Sequence, residues 1–161
     1  MFVDTDTEQE RAWMTRAIEL ATANVADGGG PFGAVIVRDG AVVATGTNRV
    51  TVDLDPTAHA EVVAIRRACR ELGVFSLAGC VLVTSCEPCP MCLASAMWAR
   101  VDRVLYAADR DDAAAAGFDD RAFYDAMTDP TRSPTAVARI DVADRNAAFD
   151  AWRDKADRVE Y

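Results

Sequence analysis

Apolar residues alternate along the chain between helical and strand periods. Met14, Ala17, Ile18, Ala21 and Val25 recur at helical spacing. They follow Thr7-Glu8-Gln9-Glu10, in which a hydroxyl and a carboxylate three residues on can cap each other's backbone N–H. This predicts a helix that Asp27-Gly28-Gly29-Gly30-Pro31 stops. Residues 33–37 and 41–45 predict strands joined by Asp39-Gly40, the strong signal for a two-residue hairpin. Their near-continuous apolar character predicts cover on both faces.

A polar loop runs from Gly46-Thr47-Asn48 to Asp55-Pro56-Thr57. A second helix starts near His59, buries Val62, Ile65, Cys69 and Leu72, and ends at Gly73. Residues 80–85 predict a third strand, 88–99 a third helix and 103–107 a fourth strand, an order that predicts a parallel crossover. After an acidic, alanine-rich stretch (111–117) and the loop prolines Pro130 and Pro134, alternation over 136–142 predicts a fifth strand. Asp144 is placed to cap a last helix holding Phe149, Ala151 and Trp152. The pattern predicts one α/β domain over residues 1–161, with three layers (α/β/α) around a mixed five-stranded sheet.

Composition narrows the function classes. The net charge of −9, from 17 basic and 26 acidic residues in 161, works against tight binding to a phosphate backbone. Nucleic acid is therefore not an expected partner. Asp4, Asp6, Glu8 and Glu10 are the reverse of a signal peptide's start, and no apolar run approaches a membrane span. Five cysteines, an odd number, fit a reducing compartment, so the expected location is cytoplasmic, without a membrane partner.

Two short motifs carry candidate chemistry. His59 and Glu61 form His-x-Glu, and Pro88, Cys89 and Cys92 form Pro-Cys-x-x-Cys. In that order they spell the signature of zinc nucleobase deaminases. His59 is the only histidine in the chain. A catalytic zinc takes three protein ligands and leaves its fourth position to water, whose proton a nearby base must collect. His59, Cys89 and Cys92 supply three ligands, and Glu61 is the carboxylate placed to act as the base. Cys89 and Cys92 share one face of a helix's first turn, so two helix N-termini are expected to aim at one metal. A lone Cys-x-x-Cys is also the pattern of a redox pair, and half that of a structural zinc knuckle. No second Cys-x-x-Cys completes four thiolates, and the joint motif favours the catalytic site. Cys69, Cys80 and Cys86 read as small core residues.

The chain resembles the cytidine deaminase-like superfamily and, within it, the small zinc-dependent bacterial guanine deaminases. The resemblance runs from Gly30-Pro31-Phe32-Gly33-Ala34 through both zinc motifs to Ala116-Gly117-Phe118-Asp119-Asp120 and the ending Ala151-Trp152-Arg153 … Glu160-Tyr161. It implies zinc on His59, Cys89 and Cys92, with Glu61 shuttling protons. It also implies that Asn48 hydrogen-bonds the base, Phe32 stacks near it and Trp98 lines the pocket. Asp120, with Asp119 as the alternative, would assist proton transfer to the leaving amine. The implied assembly is a homodimer in which the C-terminal segment, about residues 143–161, is swapped and Tyr161 closes the neighbour's site. The implied reaction is hydrolysis of guanine to xanthine and ammonia. Guanosine, cytosine, an aminotriazine such as ammeline, and adenosine in tRNA are the rival substrates. A non-catalytic zinc-binding module is the rival from another class, and Glu61 argues against it.

Overall fold

Thr7 opens the first helix as its sequence requires. In the computed structural model, which describes residues 7–161, α1 spans Glu8–Ala26. The Thr7 hydroxyl accepts from the Glu10 N–H at 3.1 Å, and the Thr7 N–H donates to the Glu10 carboxylate at 3.1 Å. Asp4 and Asp6 lie outside the described residues. The helix buries Ala17, Ala21 and Asn24, whereas Ile18 and Val25 of the expected stripe are exposed. Its contact line is shifted because small residues let it sit close to the sheet. A Cβ on Gly33 would stand 2.3 Å from the Ala17 carbonyl oxygen.

Gly33 begins β1 (Gly33–Arg38), which turns through Asp39 (φ 50°) and Gly40 (φ 79°) into β2 (Ala41–Thr47). β1 also pairs antiparallel with β3 (Cys80–Cys86), and β3 pairs parallel with β4 (Arg103–Ala108). The described sheet is thus mixed, in the order β2-β1-β3-β4. Burial on both faces holds for β1; β2 is an edge strand and stays half open. Arg103 of β4 reaches Glu10 of α1 at 2.6 Å, so the carboxylate that caps the helix also ties it to the sheet.

The helices divide between the two faces. Trp13, Met14 and Leu20 of α1 pack on Val35, Val37 and Val83. On the other face lie α3 (Ala60–Leu72) and α4 (Pro90–Trp98), the latter connecting β3 to β4. Six of the ten buried residues in that second cluster are alanines: Ala34, Ala60, Ala64, Ala68, Ala96 and Ala99. Gly46 of β2 allows a similarly close approach, since a Cβ there would lie 2.2 Å from the Ala60 carbonyl oxygen. The α/β/α layering is as the pattern predicted.

The sheet count is not. Among the described residues there are four strands, not five. Residues 136–142 alternate in sequence but form no ladder, and Val137 and Ile140 are exposed. Alternation makes a strand only where a sheet edge accepts its hydrogen bonds, and this segment lies along none within the chain. The remaining α-helices are α2 (Val50–Asp53), α5 (Arg110–Ala115), α6 (Arg121–Thr128) and α7 (Ala147–Asp154), with a 3-10 turn at Pro130–Arg132. Asn146 rather than Asp144 precedes α7, with no side-chain cap, and Phe149 and Trp152 are not buried. No helix among the described residues is long and apolar enough to cross a membrane.

Candidate active site

Two helix starts meet at the expected ligands. His59 is the N-cap of α3, and its extended backbone turns the ring away from the helix (φ −67°, ψ 156°). Cys89 is the N-cap of α4 and Pro90 its first residue, so the helix begins two residues later than the sequence predicted. Pro90 fits there because its missing N–H is one that no intrahelical partner would have used. Cys92 is the third residue of the helix and fully buried.

The three donor atoms lie within 4.8 Å of one another. His59 Nδ1 is 3.4 Å from Cys92 Sγ and 3.6 Å from Cys89 Sγ. A tetrahedron with Zn–S of about 2.3 Å and Zn–N of about 2.0 Å has N···S edges of about 3.5 Å. The cluster therefore fits Zn²⁺ in both donor set and spacing.

Electrostatics at the cluster favour thiolate. The Cys92 thiol and the His59 ring, both hydrogen-bonded to Cys89, hold its pKa down at about 4. The same bond to Cys89, together with burial, pushes Cys92 up, while the bond to Cys89 raises His59. On protein groups alone the sulfur pair thus carries one charge, and a bound dication favours the second thiolate. Glu61, the second residue of α3, is buried, with Oε2 accepting from the Cys92 thiol at 3.4 Å. Burial pushes its carboxyl above the ordinary carboxylate range.

His59, Glu61 and Cys89 form part of the lining of a cleft of about 530 Å³. That volume is within the range of small-molecule sites. Phe32 and Phe118 make an aromatic wall, edge to face, with centroids 5.0 Å apart. Asn48 faces the cleft as a buried amide. Its oxygen accepts from the Val50 N–H at 3.3 Å, so it serves a turn as well as the cleft wall. The Asn24 side chain donates to the carbonyls of Gly30 and Asn48, at 2.8 Å each, and locks the glycine loop against this wall. Gly29 has no room for a side chain: a Cβ would stand 2.6 Å from the Asn48 carbonyl oxygen.

Asp119 and Asp120 both border the cleft, but they differ in engagement. Arg121 pairs with Asp119 and holds its pKa at about 2. Asp120 has no such partner in that role, and burial, then the nearby Cys89 charge, raises it. A group that is to exchange a proton is better served by the second environment.

The structure does not bring Trp98 and Tyr161 to this cleft. Trp98, the last residue of α4, is 65% exposed, with Tyr161 of the same chain 6.3 Å away, centroid to centroid. Conversely, Phe118, Arg110 and Glu87 line the cleft although no motif in the sequence assigns them an individual role. Phe118 was signalled only by its place beside Asp119-Asp120.

Comparison with known proteins agrees with this geometry. Residues 7–108 match the family model of the cytidine and deoxycytidylate deaminase zinc-binding region. A guanine deaminase from Bacillus subtilis (strain 168) is 50% identical over 151 residues, spanning 92% of this chain and 97% of that protein. The X-ray structure of guanine deaminase from Bacillus subtilis superposes with a TM-score of 0.91 at 49% identity, covering 94% of this chain and 98% of the other. A tRNA-specific adenosine deaminase from Aquifex aeolicus is 42% identical over only 78 residues, 48% of this chain and 52% of the relative.

Proposed function

The chain belongs to the cytidine and deoxycytidylate deaminase zinc-binding family, and from that premise we propose that it hydrolyses guanine to xanthine and ammonia. The carrying observation is the buried Glu61 beside a zinc-type His59/Cys89/Cys92 cluster, at a cleft walled by two phenylalanines and a buried amide. Likeness over nearly the whole chain to guanine deaminase, against a partial match to tRNA adenosine deaminase, supports guanine as the base.

Zinc, when bound by His59, Cys89 and Cys92, supplies a Lewis acid that makes water acidic enough to yield a nucleophile near neutral pH. Phe32 and Phe118 bound the purine on its apolar side, and the Asn48 amide fixes its orientation by hydrogen bonding. Glu61 takes the proton of the attacking water and delivers it to N3 of the ring as oxygen adds at C2. Glu61, with Asp120, then passes the remaining proton of that oxygen to the exocyclic nitrogen, and as the C2–N bond breaks and the C2 carbonyl forms, ammonia leaves. The dry surroundings of Glu61 keep its proton affinity high enough to make both transfers. The cysteine ligands are suited to a reducing, cytoplasmic setting, where they remain available to the metal.

Ammonia release measured side by side on guanine, guanosine, adenine, cytosine, ammeline and a tRNA anticodon stem-loop tests the substrate. Guanine should exceed every other compound by at least tenfold in kcat/KM. A clear preference for any rival overturns the assignment.

The assembly we propose is a homodimer in which each C-terminal segment closes its partner's cleft. Its support is the apolar surface that the segment itself leaves uncovered in one chain: Phe149 is 64% exposed and Val159 61%. Crossing would carry Tyr161 from its seat beside Trp98 to the neighbouring cleft, where its phenol would shut out water. Deleting Glu160 and Tyr161 should leave zinc content and folding intact but lower turnover. Mixing that truncated chain with full-length Glu61→Ala should partly restore it, because one cleft of the mixed dimer regains both Glu61 and a tail. Subunit exchange without recovered turnover would rule out action in trans.

A further inference from the structure

Helix α6 begins directly after Asp120, yet none of its residues is buried. Asp120 also makes no side-chain cap bond of its own to the helix. The carboxyl's position therefore depends on what attaches α6 to the body of the domain, and Tyr124 provides two attachments. Its hydroxyl donates to the Pro88 carbonyl at 2.9 Å, one residue before the ligand Cys89. Its ring lies against the Arg110 guanidinium, 3.9 Å from centroid to Cζ. Arg110 in turn holds both oxygens of Glu87: Nε donates to Oε2 at 3.1 Å and Nη2 to Oε1. The Arg110 backbone N–H adds another bond to Oε2 at 3.1 Å.

Glu87 precedes Pro88 in the chain, so these contacts close a ring: Glu87 to Arg110 to Tyr124 to Pro88. It joins three segments, the end of β3, the start of α5 and the first turn of α6. An ordinary exposed ion pair contributes little. This one is bidentate and stacked, which fixes direction as well as distance, and only an arginine can do both. Glu87 and Arg110 also border the cleft, on the side where Asp119 and Asp120 lie.

We infer that Arg110 and Tyr124 are positioning residues for the deamination, holding α6 against the Glu87-Pro88-Cys89 segment so that Asp120 stays aligned with the leaving amine. The inference rests on the proposed role of Asp120. A displacement of about 1 Å can cost about a hundredfold in rate, so the clamp needs to act over only a short distance.

A mutant cycle tests it, read as guanine turnover, zinc content and melting temperature. Tyr124→Phe removes only the Pro88 bond, Tyr124→Ala removes ring and bond, and Arg110→Lys keeps the charge without the fork. Each is made alone and with Asp120→Asn. Tyr124→Ala and Arg110→Lys should each lower kcat about tenfold, with KM within about twofold and zinc near one per chain. With Asp120→Asn already present, each should add less than about twofold, because residues acting through one group are not additive. Tyr124→Phe gives a smaller loss in the same pattern and serves if Tyr124→Ala does not fold. Undiminished losses in the Asp120→Asn background, loss of zinc with the clamp, or unchanged kcat overturn the inference. An Asp120→Asn enzyme as fast as wild type removes the role of Asp120 itself, and that result is read from the one variant alone.

Discussion

Glu61→Ala is expected to keep about one zinc per chain while kcat falls by at least ~10²–10⁴, the contribution typical of a positioned acid–base group. The two halves of this result separate because the carboxylate stands beside the metal cluster without belonging to it. It meets the cluster through a hydrogen bond from the Cys92 thiol, at 3.4 Å. Glu61→Gln makes the sharper variant: it preserves shape and a hydrogen-bond acceptor but cannot carry a proton, so its turnover should fall equally far. Burial raises the Glu61 carboxyl in the folded state, so its ionised form is the one the fold disfavours. The stability this group contributes is present at low pH and lost as pH rises through the raised value. At neutral pH, Glu61→Gln should therefore melt no lower than the parent protein. Turnover within a few fold of wild type in either variant would take Glu61 out of the reaction.

Loss of a ligand should act on both quantities together. Cys92→Ala removes the fully buried sulfur of the cluster and leaves His59 and Cys89 as a two-donor site. Zinc measured after dialysis should drop from about one per chain to near none, and guanine turnover to background. His59→Ala should do the same, since the chain has no second histidine to substitute. Cys69→Ala is the control, because that thiol is outside the cluster and half-buried against the core. It should retain zinc and turnover. Full metal occupancy in Cys92→Ala would show that the ligands lie elsewhere.

What could be read from the sequence was local. The Thr7–Glu10 box, the Asp39-Gly40 turn and the two zinc motifs are each set by residues within a few positions, whose backbone consequences follow from steric and hydrogen-bonding rules. The strand over 136–142 failed for the complementary reason. A ladder needs a partner edge, which alternation cannot supply, and none lies beside that segment within the chain. Ile18 and Val25 went astray because close packing at Gly33 shifted the buried line of α1 toward alanines. The Glu87–Arg110–Tyr124 clamp was invisible: its members come from three segments with no periodic relation. Trp98 and Tyr161 entered only through resemblance, and a single chain places them together, away from the cleft.

The alanine-and-glycine seam beneath α3 has a consequence for anyone altering this enzyme. Ala60, Ala64 and Ala68 surrender no rotamer freedom on burial, so this seam adds no side-chain entropy cost to seating the helix that carries His59 and Glu61. A seam of this kind has little left to trim, and its vulnerability runs in one direction only: added methylenes. Directed evolution toward larger or differently shaped bases should therefore find its tolerated changes around Phe32, Phe118 and Asn48. Enlarging the seam would lift the metal-bearing end of α3 from the sheet before it opened any new space for substrate.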